Sequence, residues 1–206
     1  MTEPIVYVVE DDEINRELMK DLFESVDLRV EAFETGNMFL EALPVNGPGC
    51  ILLDVRMPGI SGLDLQAMLT KERLDLPIII VTAHGDTQMA VRAMKEGAFD
   101  FVEKPINNQL LLETTNKAIE KSRKLSAEHA EQDDIQKRVD LLTPRESDVL
   151  EMIALGKLNK QIAFDLGITQ RTVEVHRARV MEKMQAKTVA DLLRTVMSLD
   201  TFTGKP

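Results

Sequence analysis

The chain has 206 residues, 44% of them hydrophobic, and a formal net charge of −10, which suits one large globular domain or two small ones. A single cysteine excludes an internal disulfide framework and points to a reducing compartment. No apolar run approaches the roughly 18 residues of a membrane helix. The Met1-Thr2-Glu3-Pro4 start has neither the basic nor the apolar region of a signal peptide, so a cytoplasmic location is expected.

Short apolar or β-prone segments at residues 5–9, 29–33, 50–53, 78–81 and 99–102 predict five strands. Three are apolar throughout, as strands buried on both faces are, and Cys50 in one of them is expected to be a packed side chain. Helical patterns fall between the strands. Ile14, Leu18 and Leu22 mark one; Leu63, Ala67 and Leu69 another; Ala90, Val91 and Met94 a third, ended by Gly97; and Leu111, Leu112, Thr115 and Ile119 the last. Strand–helix alternation with short connections predicts a doubly wound, flavodoxin-like α/β domain of five βα units over residues 1–122. Residues 123–140 are polar and lack Pro and Gly, so a helical or flexible linker is expected. Ile119, Leu125, Ile135 and Val139 are too sparse for a coiled coil.

Residues 141–206 read as an all-α domain of four helices. Thr143-Pro144-Arg145-Glu146 is a capping box with Pro at the first helical position. Val149, Leu150 and Ile153 give that helix an apolar face, and Gly156 ends it. A second helix starts at Asn159 with Ile162, Ala163 and Leu166, and Gly167-Ile168 forms the turn. Thr169 caps a third with Val173, Val180 and Met184 inward; Thr188 caps a fourth with Leu192, Leu193 and Val196. Helix, short glycine turn, helix is the helix-turn-helix pattern.

Charge is unevenly spread. Residues 1–124 carry 13 basic and 22 acidic side chains, residues 141–206 carry 10 and 8, and within 157–187 the count is 7 against 3. An acidic first part and a locally basic second part suggest a regulatory half and a half facing a polyanion.

Glu10 and Asp11, Asp54, Thr82 and Lys104 each stand at or just past the end of a predicted strand. In an open α/β sheet those ends form the ligand crevice, so the residues are expected to meet in one pocket. Clustered carboxylates call for a hard cation, and Mg²⁺ suits an oxygen-rich setting. A lysine opposite is a point charge suited to a phosphoryl oxygen. Asp54 is then the expected nucleophile of a Mg²⁺-assisted phosphoryl acceptor.

These residues resemble the receiver domain of bacterial two-component response regulators over about residues 4–122. The motifs Leu142-Thr143-Pro144-Arg145-Glu146, Asn159-Lys160-Gln161-Ile162-Ala163 and Arg171-Thr172-Val173-Glu174-Val175-His176-Arg177 resemble the LuxR-type DNA-binding domain over about 141–199. The combination is similar to the FixJ type. The resemblance implies that Asp54 takes phosphate from a sensor histidine kinase. It implies that Asp11, Asp54 and the Arg56 main-chain carbonyl ligate Mg²⁺, with Glu10 acting through a water. Lys104 and Thr82 then hold the phosphoryl group, Phe101 is the aromatic switch residue, and Pro105 follows a cis peptide bond. Glu10 departs slightly from the pattern, because Asp is common there. The implied partners are promoter DNA, RNA polymerase and a second copy when phosphorylated, through the fourth helix, fifth strand and fifth helix of the receiver. The last helix is the contact between copies on DNA. No enzymatic turnover of an external substrate is expected.

For the third helix of the second domain, Glu174, Val175 and Ala178 are candidates to face base edges in the major groove. Glu174 could instead pair with Arg171 or Arg177. Lys160, Arg171, Arg177 and Arg179 are candidate phosphate contacts, though an Arg could read guanine. Thr169 is a candidate contact at the helix start, and His176 is either a packed residue or a DNA contact. A haloacid-dehalogenase-type hydrolase also uses a strand-end Asp and Mg²⁺, but has Asp where Arg56 stands. A phosphate sink without DNA binding is argued against by residues 141–199.

Overall fold

The computed structural model describes residues 3–199 apart from Asn46, Glu72, Arg73, His84 and Asp86. Residues 200–206 of the expected second domain lie outside the described residues. The chain divides into two compact units, residues 1–127 and 128–206.

The first unit is a parallel sheet of β1 (Ile5–Val9), β2 (Arg29–Phe33), β3 (Gly49–Leu53), β4 (Ile78–Thr82) and β5 (Asp100–Glu103), in the order β2-β1-β3-β4-β5. Among the described residues the helices α1 (Glu13–Glu24), α2 (Gly36–Glu41), α3 (Gly62–Lys71), α4 (Thr87–Lys95) and α5 (Asn108–Asp140) accompany it. Strand side chains alternate between the two faces. Tyr7, Val9, Ile51, Leu53 and Ile80 pack with Phe39 of α2, Leu65 and Leu69 of α3 and Ala93 of α4. Val6, Val8, Leu52, Ile79 and Val81 pack with Met19 and Phe23 of α1 and Leu111 and Ile119 of α5. Each fully buried side chain of this kind contributes roughly 1.5–3 kcal/mol of transfer free energy. Cys50 belongs to the second cluster, fully enclosed, and burial pushes its thiol up to about 12.

Two sequence expectations are revised here. The row Ile14, Leu18, Leu22 marks α1 but does not supply its main buried face: Met19 and Phe23 go inward, while Ile14 and Leu18 are 72% and 62% exposed. Likewise Val91 and Met94 of α4 lie on the surface and Ala93 is the buried residue. The short helix α2 carried no strong periodic signal; Thr35 caps it by accepting from the Met38 N–H at 3.3 Å.

Residues 123–140 are helical, as the last part of α5. The buried Ser122 hydroxyl accepts the Gly49 N–H at 3.0 Å and serves the first unit. Ile135 and Val139 join the core of the second unit, and the division falls between residues 127 and 128, inside the expected linker.

The second unit holds the end of α5 with α6 (Pro144–Ala154), α7 (Asn159–Leu166), α8 (Gln170–Lys183) and α9 (Val189–Met197). Leu150, Ile153, Ile162, Val173, Val180, Met184, Leu192 and Val196 form its core. Thr143 and Glu146 make the expected capping box, with the Thr143 N–H donating to Glu146 at 2.9 Å. Gly167, at φ +66°, supplies the left-handed turn between α7 and α8.

Glu146 also ties α6 to α8. Lys183 Nζ lies 2.6 Å from its carboxylate and 3.0 Å from the Leu141 carbonyl. The Lys183 hydrogen bond and the Thr143 N–H hold the Glu146 carboxyl down at about 2, from an ordinary 4.5. A depressed acid favours the folded state above its ordinary value, and that contribution is lost as pH falls toward the folded value. Glu146→Gln should therefore destabilise the protein at neutral pH, and its stability gap to wild type should close between pH 4.5 and about 2. Denaturant melts across that range check it; a gap that stays constant would show that the carboxylate's charge has no part in it.

Candidate functional site

The parallel register sets the pocket. Val9 of β1 stands beside Leu53 of β3, so the residues following each strand emerge together. The ladder runs on past the strand ends: Glu10 N–H donates to Phe33 at 3.0 Å, Asp54 N–H to Val9 at 3.0 Å, and Lys104 N–H to Thr82 at 2.9 Å. Gly62 lets α3 begin against Asp54, since a Cβ there would sit 2.1 Å from the Asp54 carbonyl oxygen.

Glu10, Asp54 and Thr82 are buried, at 1%, 6% and 1% exposure. Lys104 Nζ stands between the two acids, 2.8 Å from Glu10 Oε2 and 3.3 Å from Asp54 Oδ1. The other Asp54 oxygen accepts the Arg56 N–H at 2.7 Å. Burial raises the Glu10 carboxyl, although Lys104 opposes this. Burial alone would lower Lys104, but its hydrogen bonds to and the charges of Glu10 and Asp54 outweigh that and raise it. The ammonium is thus held charged, directly in front of Asp54.

Asp11 is half-buried, and its carboxylate has no hydrogen-bond or ion-pair partner among the described residues. No three described His, Cys, Asp or Glu side chains stand close enough to enclose a metal ion. Two carboxylates and a main-chain carbonyl still fit Mg²⁺, which keeps several waters and takes one or two protein carboxylates. The donor chemistry at Asp11, Asp54 and Arg56 therefore suits that ion, while Glu10 is taken up by Lys104.

Phe101, on β5, is partly buried against the first cluster. Its ring lies over Gly85: a Cβ at 85 would meet two ring carbons at 2.8 Å. The Lys104-Pro105 bond is cis.

In the second unit, Arg171, Glu174, Val175, Ala178 and Arg179 are exposed along α8, as is Lys160 on α7, while Arg177 and His176 are half-buried. Lys160, Arg171, Arg177 and Arg179 have no ion-pair partner among the described residues, whereas Lys157 is paired with Asp165 and Lys183 with Glu146. The ion pair weighed for Glu174 does not form among the described residues. Thr169 caps α8 through the Thr172 N–H at 3.1 Å. His176 Nδ1 is enclosed without a hydrogen-bond partner. Among the described residues no helix is long and apolar enough to cross a membrane.

A parallel sheet whose strand ends gather buried acids around a lysine, joined to a helix-turn-helix unit with unpaired cations, defines a two-part class: a chemical switch coupled to a DNA-binding module. The response regulator receiver domain matches residues 6–116, and the luxR family of bacterial regulatory proteins matches residues 140–196. The chain belongs to the two-component response regulators that couple a receiver domain to a LuxR-type DNA-binding domain. Nodulation protein W of Bradyrhizobium diazoefficiens is 42% identical, over 94% of this chain and 85% of that protein. Transcriptional regulatory protein FixJ of the same organism is 41% identical, over 93% and 94%. Among solved structures, response regulator StyR aligns at a TM-score of 0.83 with 40% identity, covering 95% of this chain and 99% of StyR. Full-length FixJ from B. japonicum aligns at 0.59 with 40% identity, covering 96% and 98%. The protein is a phosphorylation-dependent transcriptional regulator, which implies a sensor kinase and promoter DNA as partners.

Proposed function

We propose that Asp54 is the phosphoryl acceptor and that α8 reads the promoter. The observation that carries the first is Asp54 itself, buried at a strand end with a charged lysine 3.3 Å from one oxygen. An Asp54 oxygen attacks the phosphorus of a phosphohistidine on the kinase. The P–N bond breaks as the P–O bond forms, and the leaving imidazole takes its proton from solvent. Lys104 and Thr82 then receive phosphoryl oxygens. Asp11, Asp54 and the Arg56 carbonyl would hold Mg²⁺, with Glu10 reaching it through a water. The ion supplies charge neutralisation for a group that brings about −1.5 to −2 charges.

As Thr82 follows the new acceptor, the loop carrying Gly85 moves with it, and the Phe101 ring resting on that loop follows. Exposed Val91 and Met94 on α4 suit pairing of phosphorylated receivers through α4, β5 and α5. On DNA, Glu174, Val175 and Ala178 face base edges, Lys160, Arg171, Arg177 and Arg179 take phosphates, and Thr169 and His176 flank the contact. The helix α9 joins the two copies, and the bound dimer recruits RNA polymerase.

Gel shifts at two salt concentrations, with and without beryllofluoride, test the DNA half. Arg177→Ala should weaken binding to all sequences and reduce the salt slope by about 1. Val175→Ala should alter preference among sites, because a contact to a thymine methyl discriminates by about 1 kcal/mol. Equal loss from both variants on every sequence would remove α8 as the reading helix.

A further inference from the structure

Arg16 sits in the first turn of α1, where a cation opposes the helix dipole. It has two partners there. Its Nη1 donates to the main-chain carbonyl of Glu10 at 2.7 Å and to that of Asp11 at 3.1 Å. Its neighbour Asn15 reaches the same segment, with Nδ2 3.4 Å from Glu10 Oε1. In a strand, consecutive side chains point to opposite faces. Glu10 and Asp11 can serve one pocket only if the backbone leaves the extended path after Glu10, whose N–H still pairs with Phe33. Two carbonyls turned onto one guanidinium fix both peptide planes there, and with them the directions of both side chains.

We propose that Arg16 is a positioning residue of the phosphorylation site: by holding the Glu10 and Asp11 carbonyls, its guanidinium aims the two carboxylates and sets the site's affinity for a divalent cation. This rests on the reading that Asp11 holds the ion. Arg16 touches neither the ion nor the phosphoryl group. Both bonds leave one nitrogen, Nη1, whose two N–H directions are fixed by the guanidinium plane and which stands one bond further from the main chain than a lysine ammonium would. Groups that orient metal ligands are worth 10–100-fold in metal affinity.

The test is binding of Mn²⁺ alone to the full-length protein, read from the electron paramagnetic resonance signal of the free ion. Wild type, Arg16→Ala, Arg16→Lys and Asp11→Asn are compared, each with its thermal midpoint. Arg16→Ala should weaken Mn²⁺ binding about tenfold, with Arg16→Lys between it and wild type. Acetyl-phosphate labelling of Arg16→Ala should need more Mg²⁺ to reach half of its own limiting rate. Wild-type Mn²⁺ affinity in folded Arg16→Ala would overturn the proposal. So would wild-type affinity in Arg16→Lys alongside a weak Arg16→Ala, since charge rather than geometry would then be the cause. If Arg16→Ala fails to fold, Arg16→Lys decides alone. Undiminished binding in Asp11→Asn would instead strike the underlying ligand assignment.

Discussion

Asp54→Asn is expected to abolish labelling of the protein by acetyl phosphate in Mg²⁺. The amide is the same shape as the carboxylate but has one oxygen where the carboxylate has two: with that oxygen kept on the Arg56 N–H, at 2.7 Å, an NH2 group faces Lys104, whose ammonium keeps Glu10 at 2.8 Å and so holds the pocket in form. What disappears is the anionic oxygen that attacks phosphorus. The effect is therefore on chemistry and not on folding, and the thermal midpoint should stay close to wild type. In the wild type, EDTA should stop labelling and the acylphosphate formed should be stable to acid and labile to base. Full-stoichiometry labelling of the Asn variant would place the acceptor elsewhere.

Leu150→Ala should have the largest effect on stability. Leu150 is 1% exposed, in a cluster that draws on every helix of the second unit. Truncating such a leucine costs about 2–5 kcal/mol, against total stabilities of about 5–15 kcal/mol for ordinary domains. At about 4–8 °C per kcal/mol for a domain of this size, the midpoint of this unit should fall far enough to abolish DNA binding at growth temperature. Its core shares no residue with the two clusters around the sheet. Acetyl-phosphate labelling of Asp54 should accordingly be unchanged in the same sample. Loss of labelling together with DNA binding would mean that the receiver needs an intact second unit.

The strands and the pocket were legible because two simple signals coincide. Residues 50–53 and 78–81 are apolar throughout, and Asp54 and Thr82 stand at their ends. The cap at Thr143 and the glycine turn at Gly167 were equally local signals, and the structure contains both. The inner face of α1 was not legible, since two apolar rows run side by side. Ile14 and Leu18 form one, Met19 and Phe23 the other, and only packing against β1 and β3 selects the second. The Lys183–Glu146 tie joins residues 37 positions apart, a separation at which no helical period operates. Arg16 carried a readable sign, a cation in the first turn of a helix five residues past an acidic pair, but its partners are carbonyls, and every residue has one.

Cys50 lies in the centre of the sheet, wholly enclosed, with its thiol pushed up to about 12. A maleimide or alkylating dye therefore has neither access to it nor a thiolate to react with while the sheet is closed. The native chain behaves toward such reagents as if it were cysteine-free. A cysteine introduced on α8 or α4 can carry a fluorophore without first mutating the natural one. Dye that does arrive at Cys50 keeps time on how often β1, β3 and β4 come apart.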